Sequence, residues 1–281
     1  MIDASGDRIL YLYGVVANDR TVRPAVGATL EVVSCSSLIA IVEAVPRDEF
    51  SPEALDDRLA CIDWVAPLAR KHTAVLEEIM RAGPVIPARL CTLFSHASAV
   101  ADALAHSAQR FHDALRLIRG RQEWSCKLFF DEARLRAVVG TDDPGLQSLD
   151  TAALVASPGQ AYVLRKQRDV RLAEVVTARV DAVIDEIVDA VTAEVGLALD
   201  PERACVRFRE LLAEAATGRP EPMALNAALL VDVERAEALR ASVGALRTRL
   251  ADEGFALELT GPWPPYSFCG GEIDLRFEEE A

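Results

Sequence analysis

Apolar and polar positions near the end of the chain predict two strands on either side of a helix. The run 225–231 is almost wholly apolar and predicts a buried strand. Residues 255–260 predict a second strand, whose side chains point alternately into the core and out to solvent. Between the strands, Asp232 is placed to cap a helix, and Gly254 is suited to end it because glycine readily takes positive φ. The helix has one apolar stripe at three- and four-residue steps, formed by Val233, Ala236, Leu239, Val243, Leu246 and Leu250.

The next stretch, residues 261–268 and here called the closing segment, combines three prolines with three aromatic residues. Proline lacks the N–H that a sheet ladder requires, so this segment is predicted to leave the sheet as a stiff, extended, polyproline-like stretch. The aromatic residues have two interpretations. They either close one end of the core, or form a docking surface on a backbone that is already ordered. They are Trp263, Tyr266 and Phe268.

The pattern before this region completes a ferredoxin-like order of elements. A strand is predicted at 123–130, a loop at 141–145, a helix of about 38 residues from 158 to 195, and a strand at 204–208. Together with the elements above, the order is strand, helix, strand, strand, helix, strand. The long helix exceeds what one small sheet can cover, so part of its apolar stripe is expected to face the first domain or a partner.

The first part of the chain reads as an α+β domain whose topology the pattern leaves open. Strands are predicted at 8–16, 29–33 and 38–45, and a short proline-bounded strand at 83–87 suits a sheet edge. One helix is predicted at 52–81, kinked or split at Pro67, and another at 95–119, closed by Gly120. The fold class is therefore α+β with two domains, at residues 1–120 and 121–281.

Composition narrows the range of partners. The 281 residues carry a net charge of −14. This argues against nucleic acid or an anionic membrane as the main partner, because both bind clusters of Lys and Arg. No apolar run approaches the length of a membrane span, and the N-terminus lacks the layout of a signal peptide. The protein is expected to be soluble and cytoplasmic.

Candidate chemistry is sparse. His96, His106 and His112 fall in one helical region, but no two of them are four residues apart, the usual metal-binding step, and His72 is predicted on an exposed helix face beside Lys71. Nucleotide-binding loops and acyl-transfer motifs do not occur, and no base marks a lone cysteine such as Cys91 or Cys126 as a nucleophile. We therefore expect no catalytic residues, no cofactor and no metal.

Seven segments spread along the chain form a recognisable series. They are Leu12–Val16, Trp64–His72, Gly83–Thr92, Glu123–Leu128, Gly159–Leu164, Leu225–Val231 and Thr260–Phe268. In this order, and over nearly the whole chain, they resemble the gas vesicle protein GvpL/GvpF family, and the closing segment is the most specific of them. One departure is visible: the family usually has Arg-Phe-Gly-Thr where this chain has Arg89-Leu90-Cys91-Thr92, which puts a close backbone approach at that turn in doubt.

The resemblance implies an accessory protein of the gas vesicle, a hollow protein shell made in the cytoplasm. It implies an N-terminal α+β domain, a C-terminal modified ferredoxin-like domain and no enzymatic activity. The implied role is shell assembly, or a minor place in the shell, through contact with the hydrophobic shell protein GvpA and other accessory proteins. Whether the chain is of the F or the L type stays open.

Two further expectations concern sites and an alternative function. The residues expected to contact a partner are Arg89, Trp263, Tyr266 and Phe268, with core packing as the competing interpretation for each aromatic. The alternative function is a regulatory protein that binds a small ligand through its ferredoxin-like module, an idea that rests on fold analogy alone.

Overall fold

A computed structural model of the chain describes residues 7–18, 30–195, 206–209, 211 and 218–269. The protein combines helices with two antiparallel sheets, which confirms the α+β class. The chain forms two compact units, one from residues 1–123 with 262–281 and the other from 124–261. The division into domains at residue 120 stays a prediction.

The first sheet is built around its first strand. Its strands are β1 (Arg8–Ala17), β2 (Leu30–Cys35), β3 (Leu38–Pro46), β4 (Ile86–Pro87) and β5 (Leu93–Phe94). The order is β2-β3-β1-β4, and β5 also pairs with β1. The proline-bounded strand thus lies at the sheet edge, as predicted.

A register shift interrupts β1 in its middle. Leu12 pairs with Val42 and Gly14 pairs with Ile41, so Tyr13 is an extra residue in the ladder. Gly14 lies so close to β4 that a Cβ atom there would be 2.7 Å from the carbonyl oxygen of Ile86. Only glycine fits this position without displacing β4.

Four helices pack on this sheet, where the sequence predicted two. Each predicted helix is divided into two shorter ones. Helices α1 (Pro52–Leu59) and α2 (Ile62–Ala82) divide at Cys61, while α2 continues through Pro67 with the loss of one backbone hydrogen bond. The predicted helix at 95–119 is also two helices, α3 (Ala97–His106) and α4 (Ala108–Ile118). They divide at Ser107, whose backbone (φ −105°, ψ 16°) leaves the helical range.

The second sheet has the order β7-β8-β6-β9. Its strands are β6 (Arg121–Phe130), β7 (Val206–Phe208), β8 (Met223–Asp232) and β9 (Phe255–Trp263). Its helices are α5 (Glu132–Asp142), α6 (Pro144–Val155), α7 (Pro158–Val195) and α8 (Ala236–Leu250).

Two predictions about loops and caps in this unit are wrong. The loop expected at 141–145 is the junction of α5 and α6, where Asp143 caps α6 by accepting a hydrogen bond from the Leu146 amide. The expected cap Asp232 belongs to the end of β8, and its side chain makes no capping hydrogen bond. Val233 is exposed and does not belong to the apolar stripe.

The long helix α7 is covered along its length by neighbours that the sequence pattern did not reveal. Ion pairs from Arg168 to Asp150 and from Arg171 to Asp143 join its first half to α6 and the start of that helix. In its second half, Arg179 forms a bidentate ion pair with Glu253. The buried stripe of α7 is formed by Ala161, Leu172, Val176, Val183, Ile187 and Val191.

The closing segment departs from its predicted conformation. Strand β9 runs on through Pro262 to Trp263, which is possible because β9 lies at a sheet edge, where a missing N–H can go unused. After Pro264 and Pro265 the chain forms one helical turn, α9 (Tyr266–Cys269), so the expected extended exit is wrong for these residues.

Candidate functional site

The closing segment is anchored in the first unit by buried side chains and hydrogen bonds. Phe268 is 5% exposed. The amide and hydroxyl groups of Ser267 donate to the two carboxylate oxygens of Glu123, at 2.9 and 2.7 Å. Glu123 is itself buried, so these bonds satisfy a carboxylate that would otherwise be costly to desolvate.

Tyr266 joins the segment to a buried histidine. His72 is 2% exposed, and its Nε2 lies 3.1 Å from both the Tyr266 hydroxyl oxygen and the Ala88 carbonyl oxygen. Its Nδ1 lies 2.7 Å from the hydroxyl oxygen of Tyr11. The prediction that His72 lies on an exposed face is therefore wrong.

These contacts fix the tautomer of His72. A carbonyl can only accept, so Nε2 carries the proton and donates to Ala88, and Nδ1 accepts from the Tyr11 hydroxyl. Burial lowers the pKa of His72 to about 4, although the Ala88 hydrogen bond opposes this shift. The imidazole is neutral at pH 7. Burial likewise raises the pKa of Tyr266 to about 12.

A second buried polar group lies beside the histidine. Tyr13 stacks on the His72 ring with centroids 5.4 Å apart, and its hydroxyl donates to Glu43 at 2.6 Å. Lys71 places its ammonium 2.7 and 2.8 Å from the two oxygens of that carboxylate. Burial, then the hydrogen bond to Glu43, raises the pKa of Tyr13. Through Lys71, Glu43 and Tyr13, these contacts join α2 to the neighbouring strands β3 and β1.

The loop from Ala88 to Cys91 is held at both ends by the same network. The Cys91 amide donates to the Tyr11 oxygen at 3.3 Å, Tyr11 donates to His72, and His72 donates back to Ala88. Cys91 has φ of +61°, a left-handed conformation that L side chains rarely adopt. The family that the sequence resembles usually has glycine at this position, and here a cysteine adopts the left-handed backbone instead.

The four residues expected to contact a partner lie in different environments. Trp263 is 42% exposed and Tyr266 is 37% exposed. Phe268 belongs to the core, and Arg89 is exposed at the loop described above. His72 brings two of them into one neighbourhood, because it bonds both to Tyr266 and to Ala88, which precedes Arg89.

Tyr11, His72 and Glu43 were missed by the sequence reasoning. A signal for His72 was present, because it lies four residues after Leu68 and four before Leu76 on the apolar stripe of α2. The charge of the neighbouring Lys71 suggested exposure instead. A polar residue within an apolar helical stripe indicates a buried polar contact.

The described residues contain little that could support catalysis. Among them, no group of three or more His, Cys, Asp or Glu side chains could hold a metal ion. Burial raises the pKa of Cys91 to about 11 and that of Cys126 to about 12, so both remain thiols at neutral pH. His96 caps α3 by accepting from the Ala99 amide, and His112 bonds to Ser37.

Within the same described part of the chain, no helix is both long enough and apolar enough to cross a membrane. This holds for α7 as well, whose apolar residues are interrupted by charged ones.

A family model described as "Gas vesicle synthesis protein GvpL/GvpF" matches residues 9–270. Gas vesicle protein L of a Streptomyces species (strain CB03234) is 29% identical over 285 residues, covering 99% of each chain. Gas vesicle protein L2 of Halobacterium salinarum is 29% identical over 264 residues, covering 92% of this chain and 90% of that protein. These matches confirm the resemblance seen in the sequence.

Solved structures with the same fold are also gas vesicle proteins. The crystal structure of GvpF from Anabaena sp. PCC7120 has a TM-score of 0.61 and 18% identity, covering 93% of this chain and 96% of that one. GvpF from Microcystis aeruginosa has the same TM-score with 17% identity, covering 93% and 98%. At these identities the structures show a shared fold.

Proposed function

Because the chain belongs to the gas vesicle synthesis protein GvpL/GvpF family, we propose that it acts in gas vesicle assembly or as a minor shell component. It does so by binding the hydrophobic shell protein GvpA and other accessory proteins. The observation that carries this proposal is the family match over residues 9–270, together with full-length similarity to gas vesicle protein L. The protein then acts in the cytoplasm, at the gas vesicle, without enzymatic activity.

The charge of the chain supports this role. A protein that binds an aggregation-prone hydrophobic subunit must itself stay in solution, and a net charge of −14 keeps copies of the chain apart. The same charge disfavours nucleic acid and anionic membranes as partners.

The arrangement of the second sheet supports a modified ferredoxin-like domain within the C-terminal part expected at 121–281. Along the chain, β6 is the first strand of this part and β9 is the last. The two are neighbours in the order β7-β8-β6-β9, as two interleaved βαβ units require. Helices α5 and α6 are additions to the first crossover, ahead of α7. Residues 1–120 then provide most of the N-terminal α+β domain.

For the contact itself, exposure favours three of the four predicted residues. Solvent-exposed surface is found at Trp263, Tyr266 and Arg89. Phe268 is buried and anchors the closing segment in the core. Aromatic and arginine side chains on an ordered backbone are the residue types that contribute most at protein interfaces. We assign the contact with GvpA to the first three residues and the positioning of the segment to Phe268.

The test is a pull-down of tagged full-length chain from cells that co-express GvpA. We compare the wild type with Trp263→Ser, which removes an exposed ring and leaves the Tyr266–His72 bond in place. Val32→Ser is the matched control, because Val32 is exposed to a similar extent. Thermal unfolding followed by circular dichroism checks that each variant is folded.

Retention of GvpA by the wild type and the control, with loss in Trp263→Ser, supports both the role and the contact. Retention by all three chains keeps the role and removes Trp263 from the contact. If the wild type retains no GvpA, direct binding of the shell protein is wrong and the ligand-binding alternative gains weight.

A further inference from the structure

The first unit contains a cavity of about 290 Å³ beside α4. Its walls are Ala17, at the end of β1, and four residues of α4 and its C-terminal boundary: His112, Leu115, Arg116 and Arg119. These four follow the spacing i, i+3, i+4 and i+7, which places side chains along one face of a helix. Small-molecule sites usually have volumes of about 300 to 1,000 Å³, so this cavity suits a small metabolite.

Hydrogen bonds hold the walls of the cavity in place. The backbone amide of Asn18, next to Ala17, donates to the Ser37 carbonyl at 2.7 Å, and the Asn18 side-chain amide donates to the Ser36 carbonyl at 3.2 Å. The hydroxyl oxygen of Ser37 lies 2.8 Å from Nε2 of His112. The end of β1, the turn between β2 and β3, and α4 are thereby joined. A ligand in the cavity therefore has little protein left to order.

The charge at the cavity is opposite to that of the whole chain. Residues 106–121 contain four arginines and one acidic residue, Asp113, in a protein of net charge −14. Asp113 accepts hydrogen bonds from Gln109 and Arg116, so its charge is met by groups on its own helix. Across the residues that the structure describes, Arg119 makes no hydrogen bond or ion pair, and Arg116 uses one of its five N–H donors. An anionic ligand would satisfy the remaining donors.

The two arginines also have a purely structural explanation. Cations near a helix C-terminus stabilise the helix, because its last carbonyl groups carry partial negative charge. This effect requires no cavity, and a lysine supplies it as well as an arginine does. Recognition of an anion by a planar guanidinium group distinguishes the two side chains, because only arginine donates two parallel hydrogen bonds.

The lining of the cavity selects the chemical class of its ligand. A carboxylate has two oxygen atoms, which one guanidinium group satisfies with two parallel hydrogen bonds. A phosphate monoester has three terminal oxygen atoms and a charge of about −1.5 to −2 at pH 7, so it can engage both arginines. Leu115 and Ala17 add apolar surface to the same cavity, which suits a carbon group attached to the phosphate.

We propose that this cavity binds a small phosphate monoester, with the phosphate held by Arg116 and Arg119 and the apolar part against Ala17 and Leu115. A free metabolite supplies the phosphate, since a chain of net charge −14 repels nucleic acid and anionic membranes. The ligand joins α4 to the end of β1. The first unit then becomes more stable as the concentration of the ester rises, because only the folded chain binds it.

The direct test is isothermal titration calorimetry of the full-length chain with three probes, near neutral pH and in a buffer without phosphate. Phenyl phosphate is expected to bind about tenfold more tightly than inorganic phosphate, because its ring buries apolar surface. It is expected to exceed benzoate by a similar factor, because benzoate has one charge and two oxygen atoms. Equal affinity of benzoate would overturn the choice of phosphate, and equal affinity of inorganic phosphate would overturn the apolar part.

Three variants locate the binding. Arg116→Gln with Arg119→Gln is expected to weaken phenyl phosphate at least about tenfold, because charge-assisted hydrogen bonds are lost. Arg70→Gln with Arg136→Gln removes the same charge from helices outside the cavity and should bind as the wild type does. Arg119→Lys keeps the charge at the end of α4, so it should keep the wild-type unfolding temperature and still bind phenyl phosphate more weakly.

The outcomes separate this site from its alternatives. Wild-type chain that binds no phenyl phosphate, or binding that the Arg116→Gln, Arg119→Gln variant leaves unchanged, would overturn the proposal. Wild-type affinity in Arg119→Lys would leave only the structural role of this arginine and overturn its assignment to the site. Attachment to anionic lipid vesicles or to single-stranded RNA that the double variant abolishes would replace the metabolite and overturn the proposal as well.

The site is independent of the proposed function, since its occupation does not require GvpA. If the wild type retains GvpA but binds no phenyl phosphate, the cavity proposal is wrong and the assembly role stands. If the wild type binds phenyl phosphate at the arginines but retains no GvpA, the cavity proposal stands and direct GvpA binding is wrong.

Discussion

The hydroxyl oxygen of Tyr266 lies 3.1 Å from Nε2 of His72, across 194 residues of sequence. This contact joins the closing segment to the helix that covers the first sheet. Since Nε2 also donates to the Ala88 carbonyl, one neutral imidazole holds the closing segment, the loop after β4 and strand β1 together. The stability of the first unit therefore depends on the protonation state of His72.

We expect the first unit to lose stability as the pH falls from about 6.5 to about 4. The pKa of His72 is lowered from its ordinary 6.5 to about 4, so between these values the unfolded chain binds a proton that the folded chain does not. The contribution of His72 is fully present above pH 6.5, and its loss amounts to about 3 kcal/mol by pH 4. Urea unfolding at several pH values measures this change.

Two substitutions isolate the effect from the carboxylates, which also titrate in acid. His72→Gln removes the titrating group and should flatten the dependence of unfolding free energy on pH between 4 and 6.5. His112→Gln removes a histidine at the surface of α4 and should leave the dependence as in the wild type. If both variants give the wild-type slope, His72 is not responsible.

Ser267→Ala should loosen the closing segment. The variant loses the hydroxyl hydrogen bond to the buried Glu123, and hydrogen bonds to charged groups contribute about 1.5 to 3 kcal/mol. Deuterium exchange of the amides at 266–269 should become faster, with smaller changes in the second unit. Ser148→Ala, at an exposed position of α6, serves as the control; equal exchange in the two variants would contradict the anchoring role.

Gly14→Ala should destabilise the first sheet. The new methyl group would lie 2.7 Å from the Ile86 carbonyl oxygen and 2.8 Å from Cγ2 of Val85, and relieving such overlap costs about 1 to 3 kcal/mol. Gly244→Ala in α8 is the matched control, because its added methyl meets no atom within 4 Å and alanine favours a helix by up to about 1 kcal/mol. Thermal unfolding should shift in opposite directions for the two variants.

Position 91 should prefer glycine to a branched side chain. With φ at +61°, Cys91→Val adds β-branched strain and should lower the unfolding free energy by roughly 2 kcal/mol. Cys91→Gly removes the strain but also a side chain that packs against the Tyr11 cluster, so its stability should stay within about 1 kcal/mol of the wild type. Chemical denaturation compares the two, and equal stability of both variants would argue against a left-handed residue here.

The sequence pattern predicted most elements because burial on this fold follows simple periods. The apolar runs at β1, β3 and β8 and the long stripe of α7 appear in the structure at nearly the predicted bounds. Helix breaks at Cys61 and Ser107 could not be predicted, because neither is marked by proline or glycine. Helices α5 and α6 were hidden by a proline and a glycine at their junction, where Pro144 in fact begins a helix.

The candidate site was predictable only in part. Sequence reasoning located the closing segment and its aromatic residues, but could not distinguish the buried Phe268 from the exposed Trp263, since both are large and apolar. The contact of Tyr266 with His72 arises from chain folding over a long separation, which a local pattern does not encode. The exposure of Val170 was likewise hidden, because it has the same residue type as the buried Val176 and Val183 of α7.

The hydrogen bonds through Cys91, Tyr11, His72 and Ala88 all donate in one direction and close on the loop where they began. Removing the Tyr11 hydroxyl leaves both the Cys91 amide and Nδ1 of His72 without their partner in this series, so the loop gains little by opening at one point alone. We expect the amides of this loop to exchange as one cooperative unit with the end of α9. Arg89 then lies on a loop whose backbone is already ordered, so a partner that binds this residue loses little free energy in ordering the loop.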